Sequence, residues 1–232
     1  MAKATTAVAM MLVLSSAGAT SDDPAFDDGT QLLGSCRYVE GDWHWWRDHE
    51  EVIEPEMQRA GLFLNPQPAF TAIQYKQTFT PAAGKTAWAK FRMRFDHPSD
   101  ITTKAGFFET NMSPFASEPD VSAYFLQEPD DDTPAHDGKL SLVTKKSGGS
   151  VNVEDLNVTI LESEVFDLVV KVSGTTNVTF YYKKSSEANW SAEQVTDSAD
   201  LPDGPMRFSA ATKTGGTNGF VVLRVFEYEA DR

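Results

Sequence analysis

Cysteine is nearly missing from this sequence, in which Cys36 is the only one among 232 residues. A single thiol cannot form an internal disulfide, a thiolate zinc site or a Cys-x-x-Cys redox pair. No motif containing a histidine accompanies Cys36, so we interpret it as a packed structural residue and not as a nucleophile.

Positive charge is also scarce. Lysine and arginine total 20 against 34 aspartate and glutamate residues, and the formal net charge is −14. Phosphate backbones repel a chain this acidic, which argues against nucleic-acid binding. Such a surface suits a basic partner, cations or high ionic strength.

The apolar run at residues 7–14 is too short to span a membrane. It follows Lys3 and precedes small residues ending in Ala17-Gly18-Ala19, the pattern of a secretory signal peptide. Two interpretations stay open: a signal cleaved after Ala19, or a retained arm whose leucines, Leu12 and Leu14, need another surface to cover them.

Tryptophan is concentrated at Trp43, Trp45 and Trp46. Three such side chains in four positions are too many for one face of one strand, so some must lie at a boundary with another element or subunit. We therefore predict an N-terminal arm and Trp-rich anchoring region over residues 1–68. Within it, the charged stretch 48–60 is expected to contain a short helix.

From residue 69 onward, the dominant pattern is alternation of apolar and polar residues. In the clearest case, Phe91, Met93 and Phe95 point one way while Lys90 and Arg92 point the other. Gly, Pro, Asn and Asp bound the alternating segments, which predicts an all-β chain folded as an antiparallel β-sandwich or jelly roll over residues 69–232. The predicted strands are 69–80, 87–95, 105–110, 122–127, 139–144, 151–161, 166–172, 178–183, 206–210 and 220–228, and a further short strand is predicted at 62–64 within the N-terminal region.

Motifs for catalysis are weak. Gly84-Lys85-Thr86 lacks the preceding glycine of a phosphate-binding loop, so we interpret it as a β-turn. Glu227 and Glu229 share a face of the last predicted strand, where a solvated sheet edge explains them better than a catalytic pair. No Gly-x-Ser-x-Gly segment occurs, and we expect no enzymatic activity.

Two groups of residues are candidates for ligand binding. Asp130, Asp132 and Asp137 lie in an acidic loop whose hard oxygen donors suit calcium, although a solvated loop is the preferred explanation. No other cofactor is expected. Trp88, Arg92 and Tyr181 point away from the predicted core and are suited to stacking on a glycan. The alternative is that they pack under the N-terminal third of the chain or a neighbouring subunit.

The order of these motifs resembles a concanavalin A-like (LamG-like) jelly roll of the kind found in virion proteins of tailed bacteriophages. The resemblance covers residues 69–228. The segments that carry it are Trp88-Ala-Lys-Phe-Arg-Met-Arg-Phe95, Gly106-Phe-Phe108, Asn177-Val-Thr-Phe-Tyr-Tyr-Lys183, Leu201-Pro202 and Lys213-Thr-Gly-Gly216.

This resemblance implies a non-enzymatic structural protein of a phage virion, a head decoration or cement protein. It would attach to the major capsid protein or other virion subunits through Trp43, Trp45, Trp46, Leu12 and Leu14, and would form a homo-oligomer, expected to be a trimer. The alternative is a secreted or surface glycan-binding, lectin-like module with a cleaved signal peptide. A glycoside hydrolase or lyase is the least favoured of the three.

Overall fold

The structure is a computed structural model, and it describes residues 43–47, 50–52, 57–58, 61–64, 70–109, 115, 118–130, 137–191, 194–195, 200–214 and 219–231. These residues form 15 strands and one short 3-10 turn, Pro98–Asp100. The strands are β1 (Trp43–Arg47), β2 (Glu50–Val52), β3 (Met57–Gln58), β4 (Gly61–Leu64), β5 (Phe70–Tyr75), β6 (Thr86–Asp96), β7 (Ile101–Glu109), β8 (Ser122–Pro129), β9 (Gly138–Lys145), β10 (Asn152–Ile160), β11 (Val165–Ser173), β12 (Asn177–Lys184), β13 (Gln194–Val195), β14 (Met206–Thr214) and β15 (Phe220–Ala230).

The strands form two sheets, in which every pair is antiparallel. The eight-stranded sheet has the order β10-β9-β8-β7-β14-β5-β1-β2, and the seven-stranded sheet has the order β13-β12-β11-β6-β15-β4-β3. Stacked face to face, the sheets form a β-sandwich. This confirms the all-β jelly roll predicted from the alternating pattern.

The core lies between the sheets and is rich in phenylalanine. Phe91 of β6 stacks on Phe208 of β14 with ring centroids 4.7 Å apart, and Phe125 meets Phe180 edge to face at 5.2 Å. Every second residue of β6 faces this core, as the alternation predicts. These residues are Ala87, Ala89, Phe91, Met93 and Phe95, all at 0% exposure.

The sheets begin earlier in the chain than the predicted boundary at residue 69. β1 pairs with β5 over residues 43–47, and β4 pairs with β15 over residues 62–64. The segment from Trp43 to Leu64 therefore contributes strands to both sheets. Its three tryptophans lie in β1. Leu12 and Leu14 fall outside the described residues, and attachment of a partner to this region stays a prediction.

The helix expected within residues 48–60 is wrong where the structure describes that stretch. It places the strands β2 and β3 there, and β2 pairs with β1 in a hairpin. Pairing along the sheet satisfies the backbone hydrogen bonds of these short segments, so tertiary contacts override a local helical preference. Across the described parts of the chain, no helix is long and apolar enough to cross a membrane.

The position of β15 differs from expectation. It lies inside the seven-stranded sheet, where β6 pairs with it over residues 220–230 and β4 pairs with it at residues 221–223. Glu227 pairs with Lys90 and Glu229 pairs with Trp88 in the register of β15 and β6.

Candidate functional site

The outward face of β6, β11 and β12 in the seven-stranded sheet brings together the predicted glycan-binding residues. We call it the Trp88 face. Alternation along each strand sends every second side chain to this side, away from the core. The register places Trp88 beside Lys171, and Arg92 beside Asp167, which is itself paired with Lys183. The residues of the Trp88 face are Trp88, Lys90, Arg92, Asp167, Val169, Lys171, Thr179, Tyr181 and Lys183.

Trp88 is the centre of this face and is fully buried, at 0% exposure. Tyr181 stacks on it with ring centroids 6.3 Å apart and an interplanar angle of 18°. The ammonium groups of Lys171 and Lys90 lie 4.7 and 5.6 Å from the ring centroid, within the range of cation–π attraction. The indole Nε1 is buried and has no hydrogen-bond partner among the residues that the structure describes.

Asp167 organises the neighbouring part of the Trp88 face. Its carboxylate accepts hydrogen bonds from Arg92 Nε at 2.6 Å and Nη2 at 2.8 Å, and from Ser185 Oγ at 2.7 Å. Lys183 Nζ lies 3.9 Å from Oδ2. The hydrogen bond to Asp167 raises the pKa of the Arg92 guanidinium. Asp167 is completely buried, so these partners supply the compensation that a buried charge requires.

A second aromatic ring borders the face beyond β12. The Nζ atom of Lys183 lies 5.0 Å from the ring centroid of Trp190. Ser191 fixes this segment to the strand, because its backbone N–H donates to Tyr182 O at 2.8 Å and its Oγ accepts from Tyr182 N at 3.0 Å. Lys183 Nζ also donates to the carbonyl of Glu187 at 3.2 Å. Sequence reasoning missed Trp190 as a site residue, although a lone tryptophan in a polar loop is a usable signal.

The structure thus brings Trp88, Arg92 and Tyr181 onto one surface but does not expose them equally. Trp88 lies beneath Tyr181 and is closed to a ligand in this conformation, whereas Tyr181 and Arg92 are partly exposed. Glycan binding by these residues stays a prediction, to which Lys183 and Trp190 are added.

The predicted calcium loop is only partly described. The backbone N–H of Asp130 donates to the carbonyl of Asp137 at 3.2 Å, so the two ends of the loop meet. Asp132 lies outside the described residues. Within the described part of the chain, no group of three potential metal-ligating side chains occurs. Calcium binding at this loop stays a prediction.

The outward face of the eight-stranded sheet carries a different cluster, which sequence reasoning missed. Lys104 Nζ donates to Glu118 Oε2 at 2.8 Å, and Tyr124 Oη donates to Glu118 Oε1 at 2.5 Å. Lys104 also lies 5.0 Å from the Tyr124 ring centroid and 5.5 Å from that of Phe115. Burial lowers the pKa of Lys104, while Glu118 opposes this shift, and burial raises the pKa of Tyr124. The cluster is closely packed, and we interpret it as structural.

Comparisons with known proteins bear on the fold. The sequence matches no family model and no curated protein. Among solved structures, peanut lectin is similar at a TM-score of 0.53 and 12% identity, covering 90% of this chain and 95% of the lectin. An alginate lyase from Pseudomonas aeruginosa is similar at a TM-score of 0.55 and 9% identity, covering 82% of this chain and 98% of the lyase.

A further similar structure is the exoplasmic/lumenal domain of VIP36 in its Ca2+/Man3GlcNAc-bound form. Its TM-score is 0.52 and its identity 13%, covering 81% of this chain and 85% of that domain. Identities this low carry information about the fold alone. Together with the two antiparallel sheets, these similarities show that the chain has the concanavalin A-like jelly-roll fold that its sequence resembles.

Proposed function

We propose that this protein is a carbohydrate-binding module that holds glycans on the Trp88 face. The observation that carries the proposal is the stack of Tyr181 on the buried Trp88, with Lys171 beside it and Lys183 and Trp190 at its border. A partly exposed ring fixed on a rigid base offers apolar contact to the C–H face of a sugar at little cost in conformational entropy.

Polar groups around Tyr181 complement the ring. The ammonium of Lys183 and the guanidinium of Arg92 are held on the same surface by Asp167 and can donate to sugar hydroxyls or carboxylates. Because these side chains are already positioned, binding would order few further groups. The fold adds support, since peanut lectin and the glycan-bound VIP36 domain share it.

We further propose that the module binds glycans without cleaving them. Among the described side chains of β6, β11 and β12 on the Trp88 face, Asp167 is the carboxylate, and its oxygens are occupied by Arg92 and Ser185. A carboxylate saturated in this way is a poor general base, because proton transfer requires a position that the substrate can reach. Incubation with alginate and other polyuronates should therefore release no unsaturated oligosaccharide; sustained release would overturn this part of the proposal.

The test is binding of the full chain to a panel of neutral and acidic oligosaccharides, followed by titration calorimetry with each ligand that binds. Tyr181→Ala should weaken binding at least tenfold because the stacking surface is lost, whereas Tyr181→Phe retains the ring and should bind within about threefold of the parent. Lys183→Ala should weaken binding less than Tyr181→Ala does.

Lys139→Ala is the matched control, because Lys139 is exposed on β9 of the other sheet. Its binding should equal that of the parent. Two results would overturn the proposal: no glycan bound by the parent, or equal affinities for the parent and the folded Tyr181→Ala variant.

A further inference from the structure

A cavity of about 290 Å³ opens on the core side of the sandwich, at the ends of β5 and β15. It is separate from the Trp88 face, because Tyr228 and Ala230 of β15 pair with Ala89 and Ala87, whose side chains face the core. Its size is close to the lower end of small-molecule sites, roughly 300 Å³. The lining residues are Tyr75, Gln77, Thr78, Phe79, Tyr228, Ala230 and Asp231.

Aromatic rings form the inner wall of the cavity. Tyr75 and Tyr228 lie with ring centroids 5.3 Å apart at an angle of 57°. Tyr228 is held from behind by Phe107 and Phe208, at 6.3 and 5.9 Å. Burial, with the nearby Tyr75, raises the pKa of Tyr228 to about 12. Tyr228 therefore stays a neutral phenol at physiological pH, able to donate and accept hydrogen bonds.

Two main-chain contacts make the rest of the cavity rigid. Phe79 and Met206 exchange backbone hydrogen bonds of 2.8 Å in both directions, which anchors the segment carrying Gln77 and Thr78. Asp231 N donates to Thr86 O at 2.9 Å, and Asp231 Oδ2 accepts from Thr86 N at 2.8 Å. The bond to Thr86 uses one carboxylate oxygen and fixes the direction of the other, Oδ1.

The chemistry of the lining points to one class of ligand. Two phenols, an amide, a hydroxyl and a carboxylate offer several donors and acceptors around an aromatic wall. None of the seven described lining residues is a lysine, arginine or histidine, so this described lining offers no positive charge to an anionic ligand. A neutral ring with many hydroxyls matches both the polar rim and the aromatic wall.

We propose that this cavity binds a single neutral sugar ring. Tyr75 and Tyr228 contact its C–H face. The Asp231 carboxylate accepts hydrogen bonds from its hydroxyls, and the Gln77 amide and the Thr78 hydroxyl donate and accept. The site is independent of glycan binding on the Trp88 face, and either can exist without the other. Because the ring enters between the two sheets, the cavity selects a free or terminal sugar and not the middle of a chain.

The test is titration of the isotopically labelled full chain with glucose, galactose, mannose and N-acetylglucosamine, followed by amide chemical shifts. At least one sugar should shift the amides of residues 77–79 and 228–231, with a Kd below roughly 10 mM. Asp231→Asn and Thr78→Ala should each weaken this binding at least threefold without changing the thermal midpoint by more than a few degrees.

Tyr181→Ala distinguishes the two sites, because it should leave these shifts and the Kd unchanged. The proposal is overturned if no neutral sugar shifts residues 77–79 and 228–231. It is also overturned if Asp231→Asn binds as the parent does, or if methylammonium binds more tightly than every neutral sugar. The last result would indicate a cation site built around the Asp231 carboxylate.

Discussion

Arg92 holds Asp167 in a two-pronged hydrogen bond across β6 and β11, with Nε 2.6 Å from Oδ1 and Nη2 2.8 Å from Oδ2. The two residues differ in environment, since the side chain of Arg92 is 34% exposed and that of Asp167 is fully buried. The pair therefore joins the solvent side of the Trp88 face to a charge that has no access to water. A buried charged pair of this kind fixes the relative positions of its two side chains. Removing one partner destabilises the protein strongly, because the other charge stays buried and unpaired.

Replacing Arg92 tests this asymmetry. In Arg92→Ala, Asp167 stays buried with Ser185 and the more distant Lys183 as its partners. We therefore expect the free energy of unfolding, measured in urea, to fall by about 3 kcal/mol. The control is Glu164→Ala, which breaks the partly exposed ion pair of Glu164 with Lys184 and removes an acceptor for the Leu161 N–H. That change should cost less than about 1 kcal/mol, so equal losses in the two variants would contradict the assignment.

Breaking the Lys104–Glu118 ion pair is expected to lower the unfolding free energy by an amount that depends on pH. Glu118→Gln leaves the Lys104 ammonium buried without its counter-ion, and we expect a loss of about 2 kcal/mol in unfolding free energy at neutral pH. The pKa of Lys104 is already lowered by burial, and it falls further in this variant. The folded variant then releases its proton before the unfolded chain does, so its stability rises with pH towards the ordinary lysine pKa of 10.5.

The deficit of Glu118→Gln relative to the parent should therefore shrink as the pH rises from 7 to 10, measured by urea unfolding at each pH. The double variant Lys104→Met with Glu118→Gln removes both charges and should recover most of the stability at pH 7. A deficit that is constant with pH would mean that Glu118 acts through packing and not through its charge.

Gly106 in β7 is expected to tolerate no side chain. A Cβ atom there would clash with the carbonyl oxygen of Ala123 and would lie 2.6 Å from the Cα of Tyr124, both backbone atoms of β8. Gly106→Ala must therefore push the strands apart, and we expect a loss of at least about 3 kcal/mol or failure to fold. Gly148→Ala is the control: its Cβ meets nothing within 4 Å, and only its φ of +64° opposes the change, at about 1–2 kcal/mol. Thermal unfolding of both variants decides the matter.

The raised pKa of Tyr228 predicts a loss of folding stability at high pH. Its pKa is raised from 10.0 to about 12, so between these values the unfolded chain loses the proton while the folded chain keeps it. Stability from this group is fully present below pH 10 and falls as the pH rises towards 12, by at most about 3 kcal/mol. Tyr228→Phe should be less sensitive than the parent over this range, as measured by urea unfolding. Parallel curves for the two proteins would contradict the shift.

Much of the fold could be predicted because alternation reports directly which side chains face a core. Residues 87–95 are the clearest case, and β6 has the predicted inward set. The sequence also predicts a short strand at 62–64, which is confirmed by β4, but β2 and β3 could not be predicted in the same way. β2 and β3 are three and two residues long, too short for a period, and they are strands because β1 and β4 supply their hydrogen bonds.

The residues of the candidate site could be predicted from the sequence, but which of them are buried and which are exposed could not. Alternation places Trp88 and Arg92 on the outward face, yet it cannot tell that Tyr181, on a strand two positions away in the sheet, covers the indole. The Lys104–Glu118 contact was not predictable, because it joins a strand to a loop that carries no periodic signal. Neither the alternating pattern nor the motifs point to the Tyr75–Tyr228 cavity.

The location of the protein in a virion is a separate prediction from its fold. The concanavalin A-like jelly roll is shown, whereas the phage location, the capsid partner and the trimer stay predictions. The residues expected to attach to a capsid are Trp43, Trp45 and Trp46, in β1, and Leu12 and Leu14, outside the described part of the chain. Sedimentation of the full chain would test the trimer directly, and a monomer at micromolar concentration would count against it.

The place of β15 between β6 and β4 has a consequence for how the chain matures. Phe220 to Ala230 must insert beside β6, a strand made far earlier during translation, before the seven-stranded sheet is continuous. Until then, β6 and β4 present unpaired backbone edges, which attract other chains. The seven-stranded sheet is therefore completed only after β15 leaves the ribosome. Stalling translation before residue 220 should leave an aggregation-prone intermediate that chaperones bind.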